Sequence, residues 1–120
     1  MILVDTSVWI DHLRKGEQQL VELLNEGEVC THPFVIEELA CGNLTKRSEF
    51  LDLISLLPTA VVAEHDEVIG LIADENLYGK GIGAVDAHLI ASARLSFARL
   101  WSKDKAIRRE TDRLGLSYLG

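Results

Sequence analysis

The sequence predicts an α/β fold in which a short, mostly parallel sheet is covered by helices on both faces. Three observations predict it. Short apolar runs alternate with longer stretches of helical periodicity, the pattern of βαβ units. A chain of 120 residues with 48% apolar and 26% charged side chains is one domain with a core of its own. No repeat, linker or low-complexity segment interrupts the pattern.

The elements follow in order. Residues 2–4 read as a strand, and a helix runs from Ser7 to Lys15, where Gly16 breaks it. A second helix spans Glu17–Asn25 and stops at Gly27. Val29-Cys30-Thr31 is a short strand, and Pro33 suits the first turn of a helix reaching Cys41, with Gly42 as its stop. Arg47–Leu57 is amphipathic and ends at Pro58. Residues 60–63 read as a third strand and His65–Tyr78 as a helix. Gly79–Gly83 is a flexible loop without the Gly-Lys-Ser/Thr ending of a phosphate-binding loop. The helix 84–95, a fourth strand 98–102, a helix 104–113 and a possible last strand 116–119 complete the chain.

Composition excludes several classes. No apolar run approaches the roughly 20 residues that span a bilayer, and no basic segment precedes the first strand, so no membrane or secretory role is expected. Cys30 and Cys41 lack metal-ligand spacing and read as reduced thiols of a cytoplasmic protein. The net charge of −7 argues against nucleic acid until its distribution is considered. Residues 94–120 hold seven basic and three acidic side chains, net +4, against −11 for the first 93. A basic C-terminal face beside an acidic centre suits a polyphosphate backbone held near metal ions; a solvated basic helix is the plainer alternative.

Parallel strands bring their carboxyl ends to one edge, where such folds bind ligands. Four acids are predicted there. Asp5 follows the first strand and Asp104 the fourth; either is also a natural helix cap. Asp86 shares a core-facing stripe with Leu89, Ile90 and Ala93, where an unpartnered acid is costly. On the Pro33 helix, Val35, Ile36 and Leu39 centre the apolar face; Glu38 falls on its flank and Glu37 points away. Asp11 is expected in solvent, and Ser102 reads as a natural N-cap. Carboxylates gathered so closely repel unless a cation joins them, and oxygen ligands select hard ions such as magnesium. The histidines (His12, His32, His65, His88) show no paired ligand spacing, and no serine or cysteine has a partner for covalent catalysis. A metal-dependent enzyme acting on phosphates is the expectation.

The segments Asp5-Thr6-Ser7-Val8, Glu38-Leu39-Ala40-Cys41-Gly42, Gly83-Ala84-Val85-Asp86-Ala87-His88-Leu89-Ile90-Ala91 and Leu100-Trp101-Ser102-Lys103-Asp104 resemble, in order and spacing, those of PIN-domain ribonucleases. Within that family the chain is most similar to the VapC-type toxins of toxin–antitoxin pairs, over essentially its whole length. The resemblance implies a single PIN domain over residues 1–120, a three-layer α/β/α sandwich. It implies that Asp5, Glu38, Asp86 and Asp104 hold magnesium or manganese and hydrolyse RNA phosphodiesters. Thr6 and Ser102 would hold ligands or phosphate in place, and Lys103 and Lys105 would contact the RNA backbone. Ser102 replaces the usual threonine and Ile107 a frequent phenylalanine. The implied partners are RNA, a small VapB-type antitoxin and a second copy in a homodimer; exposed apolar faces around 35–57 would serve the last two. A non-catalytic PIN module and a housekeeping nuclease stay open as alternatives. A haloacid-dehalogenase-type phosphatase does not, because the second aspartate of that chemistry is replaced by Ser7.

Overall fold

The computed structural model describes residues 1–119. The central strand β1 (Ile2–Val4) is flanked by β2 (Val29–Cys30) and β3 (Arg99–Trp101), both parallel to it. Ile2 lies opposite Val29 and Arg99, and Val4 opposite Trp101. Leu3, Val4, Val29 and Leu100 are buried, as unalternated apolar strands require. Helices α1 (Thr6–Lys15) and α2 (Gln18–Asn25) connect β1 to β2. Helices α3 (Pro33–Ala40), α4 (Arg47–Ser55), α5 (His65–Asp74) and α6 (Ala84–Leu95) connect β2 to β3, and α7 (Lys105–Leu114) follows. The two crossovers run in opposite directions across the sheet, so right-handed connections put their helices on opposite faces. The alternating pattern therefore yields the expected α/β sandwich.

Two predicted strands are corrected. Residues 60–63 form no strand; pairing there is reduced to one bridge between Thr31 and Thr59. Ala60 N–H still donates to Thr31 O, but two further amides are taken by hydroxyls: Val61 N–H donates to Ser96 Oγ and Ala63 N–H to Ser92 Oγ. Val61 and Val62 are half exposed, so this Val-Val pair is not the core strand that its β-propensity suggested. Residues 116–119 likewise reduce to a single bridge, Leu100 to Ser117. Helix α5 stops at Asp74 rather than Tyr78 because Asn76 turns into the left-handed region, φ 54°.

His32 joins the sheet edge to the helical layer. Fully buried, it caps α3: its Nδ1 accepts the Phe34 N–H at 3.0 Å. That acceptor role leaves the proton on Nε2, which donates to Ser92 Oγ at 3.1 Å. Burial, aided by His88, pushes its pKa down from 6.5 to about 4. A histidine depressed in the fold destabilises it once the unfolded chain takes up the proton. Its contribution is therefore complete above pH 6.5 and is lost as pH falls towards 4, about 3 kcal/mol in all. Urea unfolding of the protein and of His32→Gln at pH 7.5, 6 and 4.5 should show the stability gap closing as pH falls. A gap independent of pH would contradict this assignment.

Candidate active site

The four predicted acids lie together at the carboxyl end of the sheet, where the charges of Asp5, Asp104 and Glu38 all reach Asp86. Asp5 extends β1 by one rung, its N–H donating to Trp101 O at 2.9 Å. It occupies the N-cap position of α1, yet its side chain makes no capping bond. Instead Oδ2 accepts from Ser7 Oγ at 2.7 Å and from Ser102 Oγ at 2.8 Å, and Asp5 itself is only 5% exposed. Ser7 Oγ also accepts the Lys103 N–H, and Ser102 Oγ accepts the Asp104 N–H, both at 3.0 Å. Two hydroxyls thus tie the end of β1 to the segment leaving β3.

The other acids are held in the same manner. Glu38 Oε1 accepts from Thr6 Oγ1 at 2.7 Å, which links α3 to the first residue of α1. Asp86 Oδ2 accepts the Gly83 N–H and Asp104 Oδ1 the Ile107 N–H, each at 3.0 Å. Asp86 and Asp104 therefore do the work of helix caps, but with one oxygen each. Among the described residues, every one of the four carboxylates has a second oxygen without a hydrogen-bond partner. None of the four takes part in an ion pair.

That isolation is not a shortage of cations. Asp11, Glu17, Glu75 and Glu110 are all paired with lysine or arginine. The pocket's four acids, by contrast, are left unneutralised. The consequence is felt at Asp86, whose pKa is raised chiefly by burial, against the Gly83 amide, and further by the charges of Asp5, Asp104 and Glu38. Four like charges within mutual influence are a standing cost that a cation would remove.

Among the described residues no three His, Cys, Asp or Glu side chains are gathered at metal-ligand spacing. A hard, strongly hydrated ion does not need them to be. Magnesium commonly takes one or two carboxylates and completes its shell with waters and substrate phosphates. An all-oxygen set with one free oxygen on each acid fits such an ion.

The family model for the PIN domain matches residues 2–112. The chain belongs to the PIN-domain family. Its curated relatives include two proteins called Ribonuclease VapC32, from Mycobacterium tuberculosis strains CDC 1551 / Oshkosh and ATCC 25618 / H37Rv. Each is 51% identical over 109 residues, covering 90% of this chain and 88% of the relative. That likeness makes this PIN domain one of the VapC type. Solved structures share the fold at lower identity. They include FitAcB from Neisseria gonorrhoeae, at TM-score 0.62, 22% identity and 93% of this chain against 94% of that one. PAE2754 from Pyrobaculum aerophilum matches at TM-score 0.61, 16% identity and 91% of this chain against 78% of its own.

Around the PIN pocket, several expectations change. Lys103 is not a free cation: its Nζ lies 2.9 Å from Asp11 Oδ2 and 2.6 Å from Glu17 Oε2, which raises its pKa. Asp11 is correspondingly drawn out of solvent into that bridge, its pKa lowered first by the Lys103 hydrogen bond. Lys105 is exposed, and among the described residues it has no ion-pair partner. Ser102 does not cap α7; Asp104 does. Thr6 and Ser102 keep their predicted place beside the acids, each bonded to one. Ser7 is a hydroxyl that the sequence alone leaves between capping α1 and orienting a phosphate; in the fold it donates to Asp5 two positions before it.

Proposed function

We propose that this chain is a Mg2+- or Mn2+-dependent endoribonuclease, the toxin of a toxin–antitoxin pair. The observation that supports this best is the set of four acids at the sheet edge, each held through one oxygen while the other has no partner among the described residues. The 51% likeness to Ribonuclease VapC32 supplies the substrate class.

In this reading Asp5 and Asp86 are the principal metal ligands, with Glu38 and Asp104 completing the pocket or orienting the attacking water. A bound divalent ion would neutralise the scissile phosphate and lower the pKa of water. Ser7 and Ser102 hold Asp5 in place, because both donate to one oxygen and leave the other unbonded. Thr6 does the same for Glu38. Lys105, exposed at the start of α7 beside Asp104, would meet the RNA backbone. Lys103 acts instead as a brace, fastening the segment after β3 to α1 and to the start of α2.

For the antitoxin we propose the apolar cleft between α1 and α4, about 230 Å3, whose lining includes Trp9, Leu13, Phe50, Leu53 and Ile54. Leu53 is 66% exposed and Leu56 81%, so the surface expected around 35–57 narrows to the end of α4 and its α1 neighbour. An antitoxin arginine reaching the acids would replace the ion electrostatically. The same proposal has the chain working in the cytoplasm as a homodimer, an assembly that sedimentation velocity reads directly. No helix among the described residues is long and apolar enough to cross a membrane.

Two neighbours on α3 test the reading. Glu38→Gln keeps an acceptor for Thr6 but removes the charge, and should lower RNA cleavage about 10- to 100-fold. Glu37→Gln, equally exposed and without a bond to the pocket, should stay within about twofold. Equal losses in the two variants would sink the assignment of Glu38.

A further inference from the structure

Glu110 is 2% exposed on the inward face of α7, between Ile107 and Thr111. A carboxylate so placed needs partners, and it has three. Arg109 Nε lies 2.8 Å from its Oε2, Arg113 Nη2 2.9 Å from its Oε1, and Lys80 Nζ 3.7 Å from the same oxygen. These cations, Arg109 foremost, hold its carboxyl below the usual range against its burial.

Both guanidiniums then reach beyond the carboxylate to main chain of the segment between α5 and α6. Arg113 Nη2 donates to Glu75 O at 2.6 Å and Arg109 Nη2 to Lys80 O at 2.5 Å. At Gly81, φ +78°, an added Cβ would lie 3.6 Å from Ala106 Cβ, so the backbone rests directly on the first turn of α7. Two residues later the Gly83 N–H holds Asp86. The intervening Gly-Lys-Gly-Ile-Gly sequence has little conformational preference of its own, so its course must be imposed from outside. Helix α7 imposes it, and the same helix is capped by Asp104.

We infer that Glu110 is a positioning residue for the acidic pocket. By gathering Lys80, Arg109 and Arg113 it clamps residues 75–83 to α7 and thereby sets Asp86 relative to Asp104. The inference rests on the reading of those acids as a metal site.

The test uses the whole chain and Mn2+ as probe. Glu110→Gln should speed amide exchange across Gly79–Gly83 by about tenfold or more. It should weaken Mn2+ binding, followed by electron paramagnetic resonance, about 10- to 100-fold. Its kcat for RNA cleavage should fall with KM little changed, since the RNA-facing surface is untouched. Should Glu110→Gln fail to fold, Arg109→Met cuts the bond to Lys80 O while leaving Glu110 paired with Arg113; the same two changes should appear at roughly threefold or more. Folded variants that bind Mn2+ as tightly as the parent overturn the inference, as does unaltered exchange at 79–83. A parent protein that binds no Mn2+ overturns the metal-site reading beneath it, so the two failures are distinguishable.

Discussion

Asp5→Asn is expected to lower RNA cleavage at least about a thousandfold, roughly 4 kcal/mol of transition-state stabilisation, while the protein stays folded. The size of the loss follows from what Asp5 contributes: a buried, fixed carboxylate whose second oxygen no described residue occupies. The survival of the fold follows from the same contacts. An asparagine oxygen still accepts from Ser7 and Ser102, so the bond between the ends of β1 and β3 is kept. Removing one of four mutually repelling charges should leave the metal-free melting temperature unchanged or higher. Cleavage assays in magnesium beside thermal melts in chelator read both effects. Full activity in a folded Asp5→Asn protein would remove the pocket from the mechanism.

Expressed alone, the chain should arrest bacterial growth, and co-expression of a small protein encoded beside it should restore growth. The reasoning joins the kinship with VapC ribonucleases to two features of this molecule. The pocket is acidic and unpaired, so a basic segment complements it. The α1–α4 cleft is apolar and open, so a short helix or strand has a place to rest. Arrest should vanish with Asp5→Asn, because it is attributed to hydrolysis and not to binding. Colony counts after induction decide the matter. Arrest by a stably expressed Asp5→Asn protein would favour a non-catalytic RNA- or protein-binding module, and harmless expression of an active parent a housekeeping nuclease.

Much of this was legible in the sequence because the physics behind it is local. Asp5 and Asp104 follow apolar runs that can only be strands, and Asp86 sits on a helical stripe whose phase is fixed by Leu89, Ile90 and Ala93. Parallel topology then carries them to one edge without knowledge of any contact. What stayed hidden depends on partners distant in sequence. Residues 60–63 have the composition of a strand, but Ser92 on α6 and Ser96 just beyond its end claim the amides of Ala63 and Val61. Lys103 looks like an RNA contact until Asp11 and Glu17, more than 80 positions away, prove to bracket it. Glu110 reads as an ordinary surface acid of a charged helix; only the fold shows it buried beneath Lys80. Side-chain pairing across the chain has no periodicity to betray it.

The central claim is that the four acids bind a divalent ion and that this ion is required to cut RNA. One measurement joins both halves: cleavage of a structured RNA by metal-stripped protein during a Mn2+ titration, for the parent and for Asp86→Asn. The parent should be inactive in chelator, and its cleavage should rise with Mn2+ occupancy measured on the same samples. Asp86→Asn should bind Mn2+ at least about tenfold more weakly and stay inactive where the parent is saturated. Undiminished cleavage in chelator, or parental Mn2+ affinity in Asp86→Asn, would contradict the account.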